Sequence, residues 1–451
     1  MISAPLVRGF SPGATFAYRQ GRRISVEQFL EDVARLAASL PEQPYLLNLC
    51  ADRYHFSVGF AAALVRKQIN LLPPNETPDL IERLAAQYPG VYCLSDRPTG
   101  LASLETMLFP EVVAHGAQIL PVPAVPVPAV PETQAAAIVF TSGSTGEPVP
   151  YRKSWGSLVR VARAEIEMLG LGAWTGMAVV GTVPSQHVFG LEATVLTVIQ
   201  GGLALCARRP FYPGDIRAEL ASLPRPRSLV TTPVHLRVLL AEPDDLPPVD
   251  FLLCATAPLS PQLAAQAESR FAAPLHEIYG CTESGGIAGR RTVETVEWRA
   301  MRSVKLRTGG GRTWVKGGHV ENEVPLADVI ELRGRGKFVL HGRTADLVNI
   351  AGKRTSLAHL NYHLNSIEGV RDGTFVVPEQ AGAAVTRLTA YVVAPALTSE
   401  ALMDALRLRV DAAFLPRPLH FVDALPRNEV GKLPRQSLTK FETEIAGRMT
   451  G

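Results

Sequence analysis

Hydroxyl residues and glycines are concentrated in one short segment of the chain, FTSGSTGEPVPYRK, which follows an apolar run and ends at Lys153. Glycines allow backbone amides to approach an anion closely, and serine and threonine hydroxyls can donate hydrogen bonds to phosphate oxygens. A phosphate loop of the Walker type also requires a lysine directly after its last glycine, and this segment lacks it. The candidate phosphate-binding residues are Thr141, Ser142, Gly143, Ser144, Thr145 and Gly146.

The elements that would position this segment are predicted by the hydrophobic pattern around it. AAAIVFT, directly before it, predicts a buried strand, and SWGSLVRVARAEIEML, directly after it, predicts a helix with one apolar face. The runs MAVVGTVP, SLVTT and DFLLCAT predict further strands, and helical patterns begin near Val234 and Pro261. Strands that alternate with helices in this way are typical of a largely parallel sheet covered by helices.

The remaining segments differ in texture. Up to about residue 110, helical patterns such as SVEQFLEDVARLAASL alternate with short apolar runs, which indicates a further α/β layer. The proline-rich stretch PVPAVPVPAVP, residues 121–131, predicts an extended connector. Residues 290–345 contain short, glycine-punctuated runs that predict an antiparallel sheet or a small barrel. From residue 346 onward the pattern predicts a smaller, separate α+β domain.

Composition excludes several classes of protein. With 451 residues, 47% hydrophobic and 19% charged, the chain fits a well-packed soluble protein of two or three domains. A net charge of +3 is too small to indicate nucleic-acid binding. The five cysteines lack paired spacing, which argues against a zinc site and favours a reducing, cytoplasmic compartment. The apolar stretch 188–207 is interrupted by Glu192 and Gly201-Gly202, so it predicts a buried helix and a strand rather than a membrane span.

Four further segments follow the hydroxyl-rich one in a fixed order. They are YGCTESGG from Tyr279, GRTAD ending at Asp346, NIAGKR ending at Arg354, and PRNEVGKLPR from Pro426 to Arg435. Together with TSGSTGEP, this series resembles the acyl-adenylate-forming superfamily of acyl- and aryl-CoA synthetases, peptide-synthetase adenylation domains and luciferases. The resemblance implies an enzyme that joins a carboxylate to the α-phosphate of ATP, releases pyrophosphate and passes the acyl group to a thiol.

The resemblance assigns roles in ATP binding to individual residues. The segment 141–146 would hold the β- and γ-phosphates, and Thr282 would contact the α-phosphate. Glu283 would ligate a magnesium ion, a hard cation that prefers oxygen ligands. Tyr279 would lie against the adenine, with Gly280 beside it in the same nucleotide-binding segment.

Ribose binding and the hinge are assigned in the same way. Asp328 in PLADVIEL takes the place of the family's ribose-binding aspartate, although Leu326-Ala327 replaces the usual Thr-Gly before it. Arg343 in GRTAD would be a second ribose contact. Asp346 matches the hinge position about which the small domain swings.

The small domain would carry the catalytic lysine. By resemblance this is Lys432 in NEVGKLPR, whose flexible ammonium can reach carboxylate and α-phosphate oxygens together. Gly352 in NIAGKR would line the tunnel for the thiol once the domain has turned. The implied division is an adenylation domain in residues 1–345, with α/β-layered sheets and a small barrel-like part, and a mobile carboxy-terminal domain in residues 346–451.

The acyl pocket would be built from several segments. VPSQHVFGLEA resembles the family's Pro-x-x-His-x-x-Gly segment, so His187 would flank the pocket and the carboxylate, although a lone histidine is more often a packed structural residue. For most of the other candidates, core packing is an alternative explanation. The predicted pocket residues are His187, Phe189, Gly190, Thr232, Pro233, Ala255, Ala257 and Gly285.

The chain also departs from the family pattern. The family loop continues Thr-Gly-x-Pro-Lys, but Val149 occupies the lysine position here, and either Arg152 or Lys153 is a candidate for supplying the charge. In its compactness and in TGEPVPYRKSW and VPSQHVFGLE, the chain resembles the ligases of aryl polyene and xanthomonadin pigment clusters. Those enzymes load hydroxybenzoate-type acids onto an acyl carrier protein.

Three functional alternatives therefore remain open. The first is an ATP- and magnesium-dependent ligase that transfers a small aromatic acid to the phosphopantetheine of a carrier protein, with the basic residues after Arg290 suited to an acidic partner. The second uses free CoA as the acceptor. The same basic residues would suit it, because the phosphates of CoA are also negatively charged. The third is a non-catalytic nucleotide-binding protein, which Val149 favours but the presence of Lys432, Glu283 and Arg343 opposes.

Overall fold

A computed structural model gives the arrangement of residues 2–101, 104–109, 126–142, 148–310, 312–343, 347–350, 353–377, 387–428 and 431–450. The strands are β1 Ser3–Pro5, β2 Thr15–Arg19, β3 Arg22–Ser25, β4 Tyr45–Asn48, β5 Ile69–Leu72, β6 Val91–Ser95, β7 Thr106–Leu108, β8 Ala129–Pro131, β9 Ala135–Ser142, β10 Pro148–Ser154, β11 Ala178–Gly181, β12 Ala204–Cys206, β13 Arg227–Thr231, β14 Phe251–Cys254, β15 Leu275–Cys281, β16 Gly285–Arg290, β17 Trp298–Ala300, β18 Lys305–Gly309, β19 Arg312–Gly317, β20 Val320–Leu326, β21 Asp328–Gly334, β22 Lys337–Arg343, β23 Leu347–Ile350, β24 Lys353–Ser356, β25 Asp372–Val376, β26 Thr389–Val393 and β27 Leu419–Phe421.

The helices begin mostly at the caps that the sequence provides. Ser25 and Ser154 each accept a hydrogen bond from a backbone amide of the first turn, which satisfies a donor that would otherwise lack a partner. The α-helices are α1 Val26–Ser39, α2 Arg53–Val65, α3 Pro78–Gln87, α4 Trp155–Met168, α5 Val188–Gly190, α6 Thr197–Gly201, α7 Pro213–Ser222, α8 Pro233–Ala241, α9 Pro261–Phe271, α10 Leu357–Asn365, α11 Ser399–Arg407 and α12 Arg435–Thr450.

Two large sheets form the framework of the amino-terminal part. The first has the strand order β10-β9-β5-β4-β6-β7, and its pairs are parallel except for the β9–β10 hairpin. The second has eleven strands in the order β21-β22-β17-β16-β15-β14-β13-β11-β12-β2-β3, with a parallel centre from β15 to β2. The predicted parallel sheet covered by helices is thus present.

The sequence predicted an antiparallel sheet or a small barrel for residues 290–345, and the described strands of this segment pair in the antiparallel direction. Strands β17, β22 and β21 extend the eleven-stranded sheet, while β18, β19 and β20 form a separate three-stranded sheet. The proline-rich stretch is not wholly a connector, because its last three residues form β8, which pairs with β1 in a two-stranded sheet.

The carboxy-terminal part has a hydrophobic core formed by its own residues, including Ile350, Leu364, Phe375 and Leu406. Its three-stranded sheet consists of β25, β26 and β27 and packs against α10. The apolar stretch after His187 is a buried helix from Val188 to Gly201 that leads to β12, as predicted. Among the described residues, no helix combines the length and the apolar character needed to cross a membrane.

Candidate active site

Four neighbouring parallel strands of the eleven-stranded sheet direct their carboxyl ends to the same edge. In sheet order these strands are β11, β13, β14 and β15. The segments that follow them contain His187, Thr232, Ala255 and Thr282, respectively. Because ligands of open α/β sheets bind in the crevice outside the carboxyl ends of the strands, these residues define one candidate site.

The hydroxyl-rich segment lies at the end of a hairpin. Thr141 and Ser142 are the last residues of β9, and Ser142 pairs with Pro148 at the start of β10. Gly143, Ser144, Thr145 and Gly146 lie outside the described residues, so the prediction for this loop extends only to its two flanking strands.

The YGCTESGG segment forms the reversal between β15 and β16. Glycine is required at position 280, since an added Cβ would lie 2.2 Å from the carbonyl oxygen of Gly285. The Ser284 hydroxyl closes the turn by accepting a hydrogen bond of 3.4 Å from the Cys281 amide. Thr282 and Glu283 lie in this turn and are half-buried. The turn thus fixes the position of both predicted phosphate-side residues.

Tyr279 and Asp328 lie together beside this turn. The Tyr279 hydroxyl donates a hydrogen bond of 2.7 Å to the Asp328 carboxylate. The Tyr279 ring packs near Trp298 and Phe338, at centroid distances of 5.6 and 5.9 Å. Asp328 pairs across the β21–β22 ladder with Arg343, of which only the backbone is described. The structure therefore brings the predicted adenine and ribose residues to one place.

Lys432 reaches the crevice from the carboxy-terminal part. Its loop is closed by Asn428, whose side chain accepts from the Lys432 amide at 2.8 Å while its own amide donates to the Lys432 carbonyl at 2.9 Å. Gly431 in this loop has φ +75°, and an added Cβ there would lie 2.8 Å from the Val234 side chain. The loop thus rests against the start of α8, next to Thr232.

His187 stands opposite this loop and is held by its own helix. Its Nδ1 accepts a hydrogen bond of 3.3 Å from the Phe189 amide at the start of α5. Burial, and secondly the Lys432 ammonium, lower the pKa of His187 to about 3. The imidazole is therefore neutral at physiological pH. Gly190 is required behind it, because a Cβ would lie 1.9 Å from the Pro184 carbonyl oxygen.

The other predicted pocket residues line the same edge. Thr232 is fully buried and caps α8, which begins at Pro233, and its hydroxyl lies 2.9 Å from Nδ1 of His235. Ala255 is buried and Ala257 half-buried after β14. Phe189 is buried, and Gly285 adopts φ +74° directly after the turn. Asp346 and Gly352 lie outside the described residues, so the hinge and the thiol tunnel stay predictions.

A buried group of charged side chains behind the turn was not predicted. The Lys153 ammonium donates a hydrogen bond of 2.7 Å to the carbonyl oxygen of Glu283, and the Glu192 carboxylate accepts one of 3.0 Å from the Gly286 amide. Burial raises the pKa of Glu192 to about 7, although Lys153 opposes the shift. The glutamate inside the apolar run 188–207 was the sequence signal for this group, since a charge there requires a partner.

Two further buried groups complete this cluster. Glu165 lies on the buried face of α4, and both of its carboxylate oxygens lack a hydrogen-bond partner among the described residues. Burial, and then Glu192, raise the pKa of Glu165 well above its ordinary value. His319 is buried near the same turn, and burial followed by Lys153 lowers its pKa to about 4.

The site offers a carboxylate for a magnesium ion that is shared with a phosphate substrate. Glu283 lies next to Tyr151, whose pKa is raised to about 12 by burial and by the Glu283 carboxylate. In the described part of the chain, no three histidine, cysteine or acidic residues are grouped as a metal cage. Magnesium bound with nucleotide phosphates requires only one or two carboxylates, so the donor set fits this kind of site.

The chain is similar to known proteins in sequence and in fold. Residues 75–337, more than half of the chain, match the family model described as AMP-binding enzyme. The 4-coumarate–CoA ligase of Rhodobacter capsulatus is 29% identical over 311 residues, covering 66% of this chain and 74% of that relative. A probable 2-succinylbenzoate–CoA ligase of Mycobacterium tuberculosis is 27% identical over 342 residues, covering 68% and 85%.

The fold is also that of a solved structure. The O-succinylbenzoate CoA synthetase of Bacillus subtilis, in complex with AMP, superposes with a TM-score of 0.78 at 18% identity and covers 97% of this chain and 98% of its own. At this level of identity the similarity concerns the fold alone. The predicted α/β fold with a large amino-terminal and a small carboxy-terminal domain is confirmed.

Proposed function

The chain belongs to the family of AMP-binding enzymes and is an AMP-forming acid–thiol ligase, and from this premise we propose that it activates an aromatic, hydroxybenzoate-like acid as its adenylate. The acyl group then passes to a pantetheine thiol. The presence of Lys432, Glu283 and Arg343 opposes the non-catalytic alternative, in which the chain would have kept the fold and lost the reaction. Relatives named for 4-coumarate and 2-succinylbenzoate support an aromatic acid.

The observation that carries the proposal is the position of Lys432 beside the crevice. A carboxylate and the phosphates of ATP repel one another, so adenylation requires positive charge where they meet. His187, with a pKa near 3, cannot provide it at neutral pH. Lys432 is close enough to lower that pKa. We propose that its ammonium stabilises the negative charge that develops on the carboxylate and α-phosphate oxygens.

The remaining residues act by positioning the substrates. Asp328 accepts from the Tyr279 hydroxyl on Oδ2, and we assign the binding of the ribose hydroxyls to this carboxylate. Thr282 and Glu283 share the rigid turn after β15, and a magnesium ion held by Glu283 would offset phosphate charge when bound. We assign the hinge to Asp346 and the thiol tunnel to Gly352, both by resemblance.

For the acceptor we propose the phosphopantetheine of an acyl carrier protein. Of the eight basic residues from Arg290 to Lys316, four form ion pairs within the chain, and they are Arg290, Arg291, Arg302 and Arg307. The other four are exposed, and two of these, Lys305 and Lys316, face each other across the β18–β19 ladder. Like charges opposite one another are unfavourable, and acidic groups of a carrier protein would add to the compensation that Glu323 of β20 gives Lys316.

Free CoA is the second candidate acceptor, because the relatives named above are CoA ligases. Its phosphates would meet the same lysines. The two acceptors differ in how much of the protein surface they contact.

Carboxylate-dependent exchange of labelled pyrophosphate into ATP tests the proposed adenylation. Benzoates, cinnamates and short fatty acids would be compared at equal concentration with magnesium present. We expect exchange with hydroxylated benzoates or cinnamates and at most background exchange with the fatty acids. Preference for a fatty acid would contradict the proposed acid class, and the absence of exchange with every acid would contradict the function.

Thioester formation from the same acid, with a carrier protein and with CoA side by side, tests the acceptor. We expect faster transfer to the carrier protein, and a Lys305→Ser, Lys316→Ser double variant should slow this transfer several-fold while pyrophosphate exchange stays unchanged. Faster transfer to CoA, or a double variant that equals wild type with the carrier protein, would favour free CoA.

A further inference from the structure

We propose that Lys153 is a positioning residue, which together with Glu192 fixes the turn that contains Thr282 and Glu283. The inference rests on the proposed function, since it concerns the turn to which we assign phosphate and magnesium contacts. It also answers which of Arg152 and Lys153 serves the site in a chain that has Val149 at the loop-lysine position.

The direction of the Lys153 side chain distinguishes it from its neighbour. Alternate residues of a strand point to opposite faces, so Tyr151 and Lys153 share a face of β10 and Arg152 points away. Arg152 is exposed, whereas Lys153 is half-buried and its ammonium lies 2.7 Å from the Glu283 carbonyl oxygen. Lys153 is the one of the two that contacts the turn.

Lys153 lies near the far end of β10 from the hydroxyl-rich segment in the sequence. It pairs with Ala137, five residues along β10 from Pro148, where the loop returns. At about 3.4 Å per residue, this places it roughly 17 Å from that end of the hairpin. Among the described residues, its hydrogen bond to the site is the one that it donates to the turn.

Glu192 holds the other end of the same turn. It lies in a π-helical segment, Leu191–Leu196, within the helix after His187, and such segments often occur at functional sites. Its Oε2 accepts from the Gly286 amide at 3.0 Å, and a Cβ at Gly285 would lie 2.5 Å from its Oε1. The carbonyl of residue 283 and the amide of residue 286 are thus both anchored by charged side chains.

The two anchors depend on each other electrostatically. Glu192 is buried and Lys153 half-buried, and the charges are opposite. The Lys153 ammonium favours the charged form of the Glu192 carboxylate, which accepts more strongly from the Gly286 amide than the neutral form would. Loss of the Lys153 ammonium would therefore release the Glu283 carbonyl and also disturb the contact that Glu192 makes with Gly286.

Calorimetric titration with ATP, in magnesium and separately in EDTA, tests this role without a catalytic readout. The variants are Lys153→Met, Lys153→Arg and, as the neighbouring alternative, Arg152→Met. We expect Lys153→Met to raise the Kd for ATP about tenfold with magnesium and less than about twofold in EDTA, because the turn presents the proposed magnesium ligand. Lys153→Arg should recover part of the affinity, and Arg152→Met should bind as wild type does.

Several outcomes would overturn the inference. If Lys153→Met weakened ATP binding equally with and without magnesium, Lys153 would be a general structural residue. If Arg152→Met lost affinity for ATP, direct phosphate binding by Arg152 would be favoured instead. If Lys153→Met does not fold, Lys153→Arg and Glu192→Gln carry the test, and wild-type affinity in both with magnesium would contradict it. Failure of wild type itself to bind ATP with magnesium would instead contradict the proposed function.

Discussion

At the scale of single residues, His187 and Lys432 divide the electrostatic requirements of the crevice between them. The imidazole is kept neutral by burial and by the ammonium, so it can hydrogen-bond a substrate but cannot neutralise one. Lys432 is an exposed residue of its loop, and its ammonium carries the positive charge that an incoming anion requires. This division predicts that the two half-reactions respond differently to the loss of Lys432.

Replacing Lys432 by alanine should lower the rate of adenylate formation about 100-fold or more, in the range observed when one donor to a developing charge is removed. Thioester formation from a supplied acyl-adenylate should change less than about threefold, because the phosphate chemistry is then complete. Lys440→Ala, which removes an exposed lysine from α12, provides the matched control. An equal loss of both half-reactions would contradict the role assigned to Lys432.

The motif residues were accessible from sequence because their neighbours along the chain define them. Tyr279, Thr282 and Glu283 belong to one continuous segment, and the structure places this segment at the end of β15. The contact of Lys153 with the same segment joins residues 130 positions apart. No local pattern reports a pairing of that kind, which depends on how β10 of one sheet faces β15 and β16 of another.

At the scale of elements, α8 shows how one helix start serves both stability and the site. Pro233 occupies the first turn and Thr232 caps it, and the Thr232 hydroxyl also contacts His235. The rings of Phe211 and His235 form a T-shaped contact, with their centroids 5.3 Å apart. Burial, and then Arg209, lower the pKa of His235 to about 4.

This lowered pKa predicts a pH dependence of stability. An unfolded histidine has a pKa of about 6.5, so between pH 6.5 and pH 4 the unfolded chain binds a proton that folded His235 does not. The contribution is fully present above pH 6.5 and is lost as the pH falls towards 4. From pH 7 to pH 5 wild type should lose about 2 kcal/mol of its free energy of unfolding relative to His235→Gln. Urea titrations of both proteins at the two pH values would measure this, and a difference independent of pH would contradict it.

Helices and strands with clear caps or hydrophobic periodicity could be predicted from the sequence. The sheet to which a strand belongs could not be predicted where its partners lie far away along the chain. The capped helices after Ser25 and Ser154 and the apolar strands β9, β13 and β14 follow from periodicity and caps. The strands between residues 298 and 343 have similar short patterns, yet some join the eleven-stranded sheet and others form a separate one. Their assignment depends on partners elsewhere in the chain.

At the scale of the whole molecule, Asp372 links the carboxy-terminal part to the crevice. Its carboxylate accepts two hydrogen bonds from Arg427, at 2.7 and 2.8 Å, and lies 3.5 Å from the Arg237 guanidinium on α8. Arg427 also donates to the Gly431 carbonyl in the Lys432 loop, at 3.1 Å. One carboxylate thus connects α8 with the loop that brings Lys432 to the site.

Arg237→Ala should therefore weaken the arrangement in which Lys432 reaches His187. The pair is only partly exposed, with side-chain exposures of 20% and 18%, so its loss should cost about 0.5–1 kcal/mol, or a two- to fivefold slower pyrophosphate exchange. Thioester formation from a supplied adenylate should not slow, because by our proposal the carboxy-terminal domain leaves this arrangement for that step. Rapid-mixing assays of each half-reaction would measure both rates.

Arg217→Ala is the matched control, since it removes an arginine that pairs with Asp244 in the amino-terminal part, outside the crevice. Its half-reaction rates should equal those of wild type. Moderate salt should shrink the difference between Arg237→Ala and wild type, because screening weakens the ion pair in wild type and leaves the variant unaffected. Slowing of the thioester step by Arg237→Ala to the same extent as exchange would mean that the contact stabilises the molecule generally, and that the Asp372 link does not favour the adenylating arrangement.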